Sequence, residues 1–151
     1  NYQQIDLGFN YRMTDIHAAI GLNQMSRLDK YVSRRHEIAE CYDTELKNLS
    51  LVTPWQAPNV YSSYHLYPVL IKNNFNNKSQ RQVYDELIKN NIAANLHYTP
   101  VHRHPYYENL GFKKNDFPVA EKFHQEAISI PMFAMLKNED QKYVIETLKK
   151  R

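Results

Sequence analysis

Asp15–Leu49, DIHAAIGLNQMSRLDKYVSRRHEIAECYDTELKNL, is the stretch on which the fold turns. Apolar residues recur at Ala18, Leu22, Met25, Leu28, Val32, Ala39, Tyr42, Leu46 and Leu49. This three-or-four spacing keeps one stripe facing one partner surface, the mark of an amphipathic helix. Thr14 or Asp15 caps it, because their side-chain oxygens accept from free N–H groups of the first turn. The pattern outruns the roughly 8–20 residues of an ordinary globular helix, so a bend is expected near Ser33-Arg34-Arg35, where charge interrupts the stripe. Such a helix suits the spine of a domain, with a free end available for a subunit contact.

Upstream, residues 1–13 (NYQQIDLGFNYRM) have no lasting periodicity and read as a lead-in segment. Downstream, Pro54 and Pro58 close the helical region, and Tyr61–Ile71 (YSSYHLYPVLI) is rich in aromatic and β-branched residues, as a strand should be. Pro68 removes a ladder donor, which predicts an edge position or a bulge. Lys72–Lys78, with four asparagines, is a loop. Ser79 with Gln82 is a capping box opening a helix whose buried face is Val83, Tyr84, Leu87 and Ile88, and Asn90-Asn91 ends it in the left-handed conformation. Ala93–Tyr98 is a short strand. Asp116 caps a helix with Pro118 in its first turn and Val119, Phe123 and Ala127 on one face. Ile128–Met132 is a third strand, and Asn138 with Gln141 starts a last helix through Val144 and Leu148. The order gives a small α/β (α+β) domain at residues 14–151, about three strands covered by helices.

The chain has 151 residues, within the roughly 100–200 of one domain. Lys and Arg number 19 against 16 Asp and Glu, a net charge of +3 spread along the chain. That is too mild and too dispersed for a nucleic-acid surface. The single cysteine, Cys41, excludes an internal disulfide and favours a reducing, cytoplasmic setting. No apolar run approaches the roughly 20 residues of a membrane span. The first residue is Asn1 and the text reads at once like mid-protein sequence, which suggests a fragment.

Two segments stand out chemically. Asn10-Tyr11-Arg12 precedes a helix N-terminus, where the dipole, an amide and a guanidinium suit an anion such as phosphate. Asp15 opposes the same anion, and the simpler reading is a surface arginine. His97-Tyr98-Thr99-Pro100-Val101-His102-Arg103-His104 follows a strand and is the densest polar-aromatic cluster. A phenol flanked by imidazoles can bond a phosphate or a sugar hydroxyl. Zinc is disfavoured, because no HExxH helix and no nearby Cys accompany these histidines, so no metal site is assigned. Ser62, Ser63 and His65 lack a nucleophile elbow and point to opposite strand faces. Cys41 reads as a small seam residue, and Arg27, Arg34 and Arg35 read as a solvated face rather than a DNA-reading helix.

Four segments in register resemble one family. LGFNYRMTDIHAAIGLNQMSRLDKYVSRR (Leu7–Arg35) resembles the G-F/Y-N-x-R-M/L-T/S/N-D/E segment and following helix of the DegT/DnrJ/EryC1/StrS aminotransferases. YSSYHLYPVLI, NLHYTPVH with its H-Y-x-P-x-H/Y loop, and AEKFHQEAISIPMF follow in the family's order. The wording is nearest to the transaminases of the pseudaminic-acid pathway, which aminate a UDP-linked 4-keto-6-deoxy-N-acetylhexosamine.

The resemblance implies the small C-terminal domain of a fold-type I enzyme using pyridoxal 5'-phosphate (PLP), with residues 1–13 as the tail of the large domain. It implies a homodimer with shared sites, in which L-glutamate gives its amine to the cofactor and the amine then passes to the nucleotide-linked keto sugar. Asn10 matches the asparagine that reaches the partner's PLP phosphate, and Arg12 lies beside it, near phosphate or substrate. Tyr98 matches a cofactor- and substrate-contacting tyrosine, while His97, His102 and His104 would line the sugar-nucleotide entrance. The Schiff-base lysine would lie upstream, so no catalytic residue is assigned and the chain alone is not expected to transaminate. The alternative is a non-catalytic dimerisation or sugar-nucleotide-binding module.

Overall fold

The computed structural model describes residues 6–9, 11–72 and 75–150. The expected spine divides in two: α1, Asp15–Met25, and α2, Leu28–Leu46. Thr14 caps α1, its hydroxyl accepting from the His17 N–H at 3.3 Å. The break comes at Ser26-Arg27, not at Ser33-Arg34-Arg35. The Ser26 hydroxyl donates to the Asn23 carbonyl at 2.8 Å, and Arg27 N–H turns to Gln24 O at 3.0 Å, ending the α-helical ladder. The two arginines do not interrupt α2, because their guanidiniums find partners: Arg34 Nη1 pairs with Glu37 one turn on at 2.8 Å, and both side chains also reach acceptors elsewhere in the chain. Arg34 donates to Leu136 O at 2.9 Å and Asn138 Oδ1 at 2.6 Å. Arg35 Nη1 gathers the carbonyls of Tyr64, His65 and Met132 at 2.7, 3.2 and 3.1 Å.

Only the second half of the seam is buried. Ile38, Ala39, Tyr42 and Leu46 of α2 are inside, whereas α1 buries no residue. Leu22 and Met25 of α1 stand 75% and 65% exposed, as do Leu7, Phe9 and Met13 of the lead-in, so none of the described residues covers this apolar face.

The sheet has four strands, β1 (Leu51–Val52), β2 (Tyr67–Ile71), β3 (Asn95–Leu96) and β4 (Ala127–Ile130), in the order β1-β2-β4-β3. Every pairing is antiparallel, which makes the domain α+β. β4, the apolar run, lies between two neighbours and is buried throughout. β2 starts only at Tyr67, because Tyr64 takes a left-handed φ of 44° and turns the chain before the ladder begins. Pro68 sits in an interior strand, yet β1 reaches only as far as Leu70, so Pro68 is paired on the β4 side alone. The missing donor therefore costs no ladder bond to β1.

The remaining helices are α3 (Gln80–Lys89), α4 (Pro105–Asn109), α5 (Pro118–Glu126) and α6 (Asn138–Lys149), with a 3-10 turn at Val101–Arg103. The Ser79–Gln82 capping box is present and Asn91 has φ 57°. Val83 and Leu87 are buried, but Ile88 is 44% exposed. In α5 the expected face is reversed: Val119 and Phe123 are exposed, Ala127 already belongs to β4, and the buried residue is Glu121. Phe117 holds the cap position, since the Asp116 carboxylate accepts from Lys113 N–H at 2.7 Å instead. α6 starts at Asn138 as expected; Lys137 holds the cap position without a side-chain cap bond, and the Asn138 side chain serves Arg34. One core results, formed by α2, α3, α6 and the inner residues of β2 and β4.

Candidate functional site

Past Leu96, β3 ends and the chain leaves the sheet edge as the segment 97–104. His97 stays tied to the sheet: its Nε2 meets Ser129 Oγ on β4, and its carbonyl accepts from His124 Nδ1 of α5 at 2.6 Å. Burial pushes the His97 imidazole below its ordinary value, favouring the neutral ring. Tyr98 is 82% exposed and forms no hydrogen bond among the described residues. Between residues 97–101 and 116–124 lies an open cavity of about 740 Å³. Its walls are largely apolar, from Val101, Phe117, Pro118, Val119 and Phe123, with His97, Tyr98, Thr99, Asp116 and His124 as polar residues. A few polar groups on an apolar cleft are what a small-molecule site offers.

His102 is turned away from this cavity and buried, 7% exposed. Its Nε2 lies 2.9 Å from Glu121 Oε1, which also accepts from Asn115 N–H at 2.6 Å. The bond from His102, helped by Asn115 N–H and the charge of Arg103, holds the Glu121 carboxyl below the usual carboxylate range. Glu121 therefore stabilises the fold above the unfolded carboxyl value, about pH 4.3, and that contribution is lost as pH falls through the lower folded value. We expect a drop in thermal stability on acidification below about pH 4 that Glu121→Gln makes shallower; a slope identical in the variant would contradict it.

The other expected positions are scattered. His104 is exposed at the cap position of α4 and does not line the cavity. Arg12 is exposed, makes no hydrogen bond or ion pair to another described residue, and is not a lining residue of this cavity. Asn10 lies outside the described residues. A free guanidinium and a free phenol are the donors a phosphate ester takes, so the residues present fit a phosphorylated cofactor in donor chemistry.

The rejected alternatives have structural reasons. Ser62 Oγ accepts from Tyr64 N–H at 3.1 Å, and His65 is exposed. The Cys41 thiol is pushed up by burial and then by Glu45, away from thiolate reactivity. No group of three or more potential metal ligands occurs among the described residues, and none of the described helices is long and apolar enough to cross a membrane. Glu121, His124 and Ser129 support the cavity without any local signature, because each acts through a partner distant in sequence.

The fold is a small α+β domain with an open, mostly apolar cleft at the edge of its sheet, and comparison gives the family. The DegT/DnrJ/EryC1/StrS aminotransferase family profile matches residues 1–149, and the chain belongs to that family. It is 32% identical over 145 residues to the UDP-4-amino-4,6-dideoxy-N-acetyl-beta-L-altrosamine transaminase of Campylobacter jejuni serotype O:2, covering 95% of this chain and 38% of that protein. Spr1654 of Streptococcus pneumoniae in its PLP form superposes with a TM-score of 0.87 at 31% identity, over 99% of this chain and 38% of that one. Helicobacter pylori PseC, an aminotransferase of pseudaminic-acid biosynthesis, gives 0.84 at 28%, over 97% and 39%. The chain thus spans about two fifths of the curated relatives it matches, 39% of the first two.

Proposed function

We propose that this chain is the C-terminal portion of a PLP-dependent aminotransferase that moves an amino group from L-glutamate to a nucleotide-linked keto sugar in amino-sugar synthesis for surface glycans. Residues 1–13 end the large PLP domain and residues 14–151 form the small domain of a cytoplasmic homodimer. The observation that carries the reading is the family match over essentially the whole chain. Arg12 and Tyr98, which have no side-chain partner among the described residues, and the apolar face of α1, which none of the described residues covers, support it as parts awaiting a second surface. PLP supplies the electron sink on which amino transfer runs. Asn10 and Arg12 would hold its phosphate across the dimer, and Tyr98 would bond the phosphate or the sugar. His97 would orient the loop while neutral, and His104 would border the entrance. His102 would act from behind it, given its burial. The names of the Campylobacter and Helicobacter relatives favour a UDP-linked 4-keto-6-deoxy-N-acetylhexosamine as the acceptor.

The test is Asn10→Ala in the intact protein. Loss of a buried bond to a charged phosphate, about 1.5–3 kcal/mol, predicts PLP affinity weakened on the order of 10–100-fold, read by titrating the cofactor's absorbance. Unchanged affinity would sink the phosphate assignment, and failure of borohydride to trap PLP on any lysine of the intact protein would sink the enzyme reading.

A further inference from the structure

Among the described residues, the cavity beside Tyr98 is bounded by two segments, 97–101 on one wall and 116–124 on the other. Two side-chain bonds tie these stretches together, one at each end. At the sheet end, His124 Nδ1 of α5 donates to the His97 carbonyl at 2.6 Å. At the far end, His102 Nε2 meets Glu121 Oε1 at 2.9 Å, and the same oxygen takes Asn115 N–H at 2.6 Å. The second tie is the stronger candidate for control. Both side chains are buried, at 7% and 8% residue exposure, and a carboxylate acceptor makes its bonds charge-assisted. Asn115 has φ 75°, a left-handed turn whose N–H is aimed at that oxygen. The His102 ring also packs 4.8 Å from Phe117, whose other side forms a cavity wall.

We propose that the His102–Glu121 pair, locked by Asn115 N–H, is a positioning latch that sets the width of the cleft and the placement of Tyr98 without touching any ligand. The inference rests on the reading of Tyr98 as a substrate contact. His102 is one residue beyond Val101, and the 3-10 turn Val101–Arg103 couples its backbone directly to the Thr99-Pro100 stretch following Tyr98. With Glu121 gone, His102 has a buried ring nitrogen without its partner, and nothing on α5 restrains that end of the loop. A shift of about 1 Å in a group that orients a substrate costs as much as a hundredfold in rate, so a residue outside the cavity can govern it.

The experiment is made on the intact, PLP-loaded protein with Glu121→Ala, its isosteric partner Glu121→Gln, and the control Gln141→Ala. Gln141 is equally buried, and its Nε2 donates to Ile38 O at 2.8 Å in the α2–α6 interface, remote in the fold from the loop. Native-state hydrogen exchange of a peptide spanning residues 97–104 is the first readout, and KM against kcat for the UDP-linked 4-keto-6-deoxy-N-acetylhexosamine proposed above is the second. Glu121→Ala should accelerate exchange in 97–104 on the order of tenfold or more and raise KM on the order of tenfold. Glu121→Gln, which keeps an acceptor oxygen, should restore most of both, and Gln141→Ala should leave both near the parent values. Unchanged exchange in Glu121→Ala, or an equal response in Gln141→Ala, overturns the latch. Faster exchange with unaltered KM and kcat overturns the proposal differently: the tie then exists, and it is Tyr98's place in the substrate site that fails.

Discussion

Tyr42→Ala is expected to destabilise the domain by about 3–5 kcal/mol, the range for emptying a large aromatic site in a packed core. Tyr42 is wholly buried in the C-terminal part of α2, with its ring 5.0 Å from that of Tyr67 on β2. Its hydroxyl donates to the Pro131 carbonyl at 3.0 Å, just past the end of β4. One side chain therefore joins the spine helix to two adjacent strands. Burial also pushes its phenol far above the ordinary value, so it remains a donor at any working pH. Tyr42→Phe keeps the ring and removes only the hydrogen bond, so it should cost about 1 kcal/mol. Guanidinium denaturation of both variants separates the two contributions. Equal losses would show that the hydroxyl, not the packing, holds this junction.

Arg35→Met is the second large effect, expected at about 2–4 kcal/mol. The side chain's aliphatic stem is retained while the charged donor is lost. Nη1 carries two hydrogens and three carbonyls share them, those of Tyr64, His65 and Met132. The loss should therefore fall short of three full charge-assisted bonds. Two of those carbonyls belong to the turn in which Tyr64 holds φ 44°, a conformation that strains a residue with a Cβ by about 1–2 kcal/mol. Arg35→Lys should recover less than half, since an ammonium is a compact, strongly hydrated charge without the planar fork of a guanidinium. A measured loss under about 1 kcal/mol would mean that the turn is held by other contacts, chiefly the stacking of His36 on Tyr61 at 4.2 Å.

These two residues also mark how far the sequence could be read. Tyr42 was legible: it falls on the repeating stripe, and a stripe is a local property of spacing. Ile38, at the centre of the same core, is not among the stripe positions, which pass from Val32 to Ala39. Arg35 was illegible. An arginine on a helix face looks the same whether it meets water or three carbonyls from segments 29–97 residues away. The same holds for Glu121, which in sequence is an acid in the first turn of a helix and in space is the partner of His102. Val119 and Phe123 kept a helical spacing, yet α5 turned them outward, because the buried His102–Glu121 pair and the cleft occupy the positions they were expected to fill. At the candidate site, Tyr98 and His97 were readable as a polar-aromatic cluster after a strand, whereas the cavity that gives them a common setting has its second wall in α5.

Sequence by itself determined the order of the larger elements after the spine (β2, α3, β3, α5, β4 and α6), the capping box at Ser79, the left-handed turn at Asn91, the buried run of β4 and the family, but not the short strand β1 or the short helix α4. Each feature it determined depends on neighbours along the chain or on a motif of fixed spacing. Tertiary structure alone decided the antiparallel order β1-β2-β4-β3, the division of the spine at Ser26-Arg27, and which histidine faces the cleft. Those outcomes depend on which carbonyls and carboxylates arrive from elsewhere to meet a side chain, and local spacing carries no record of that.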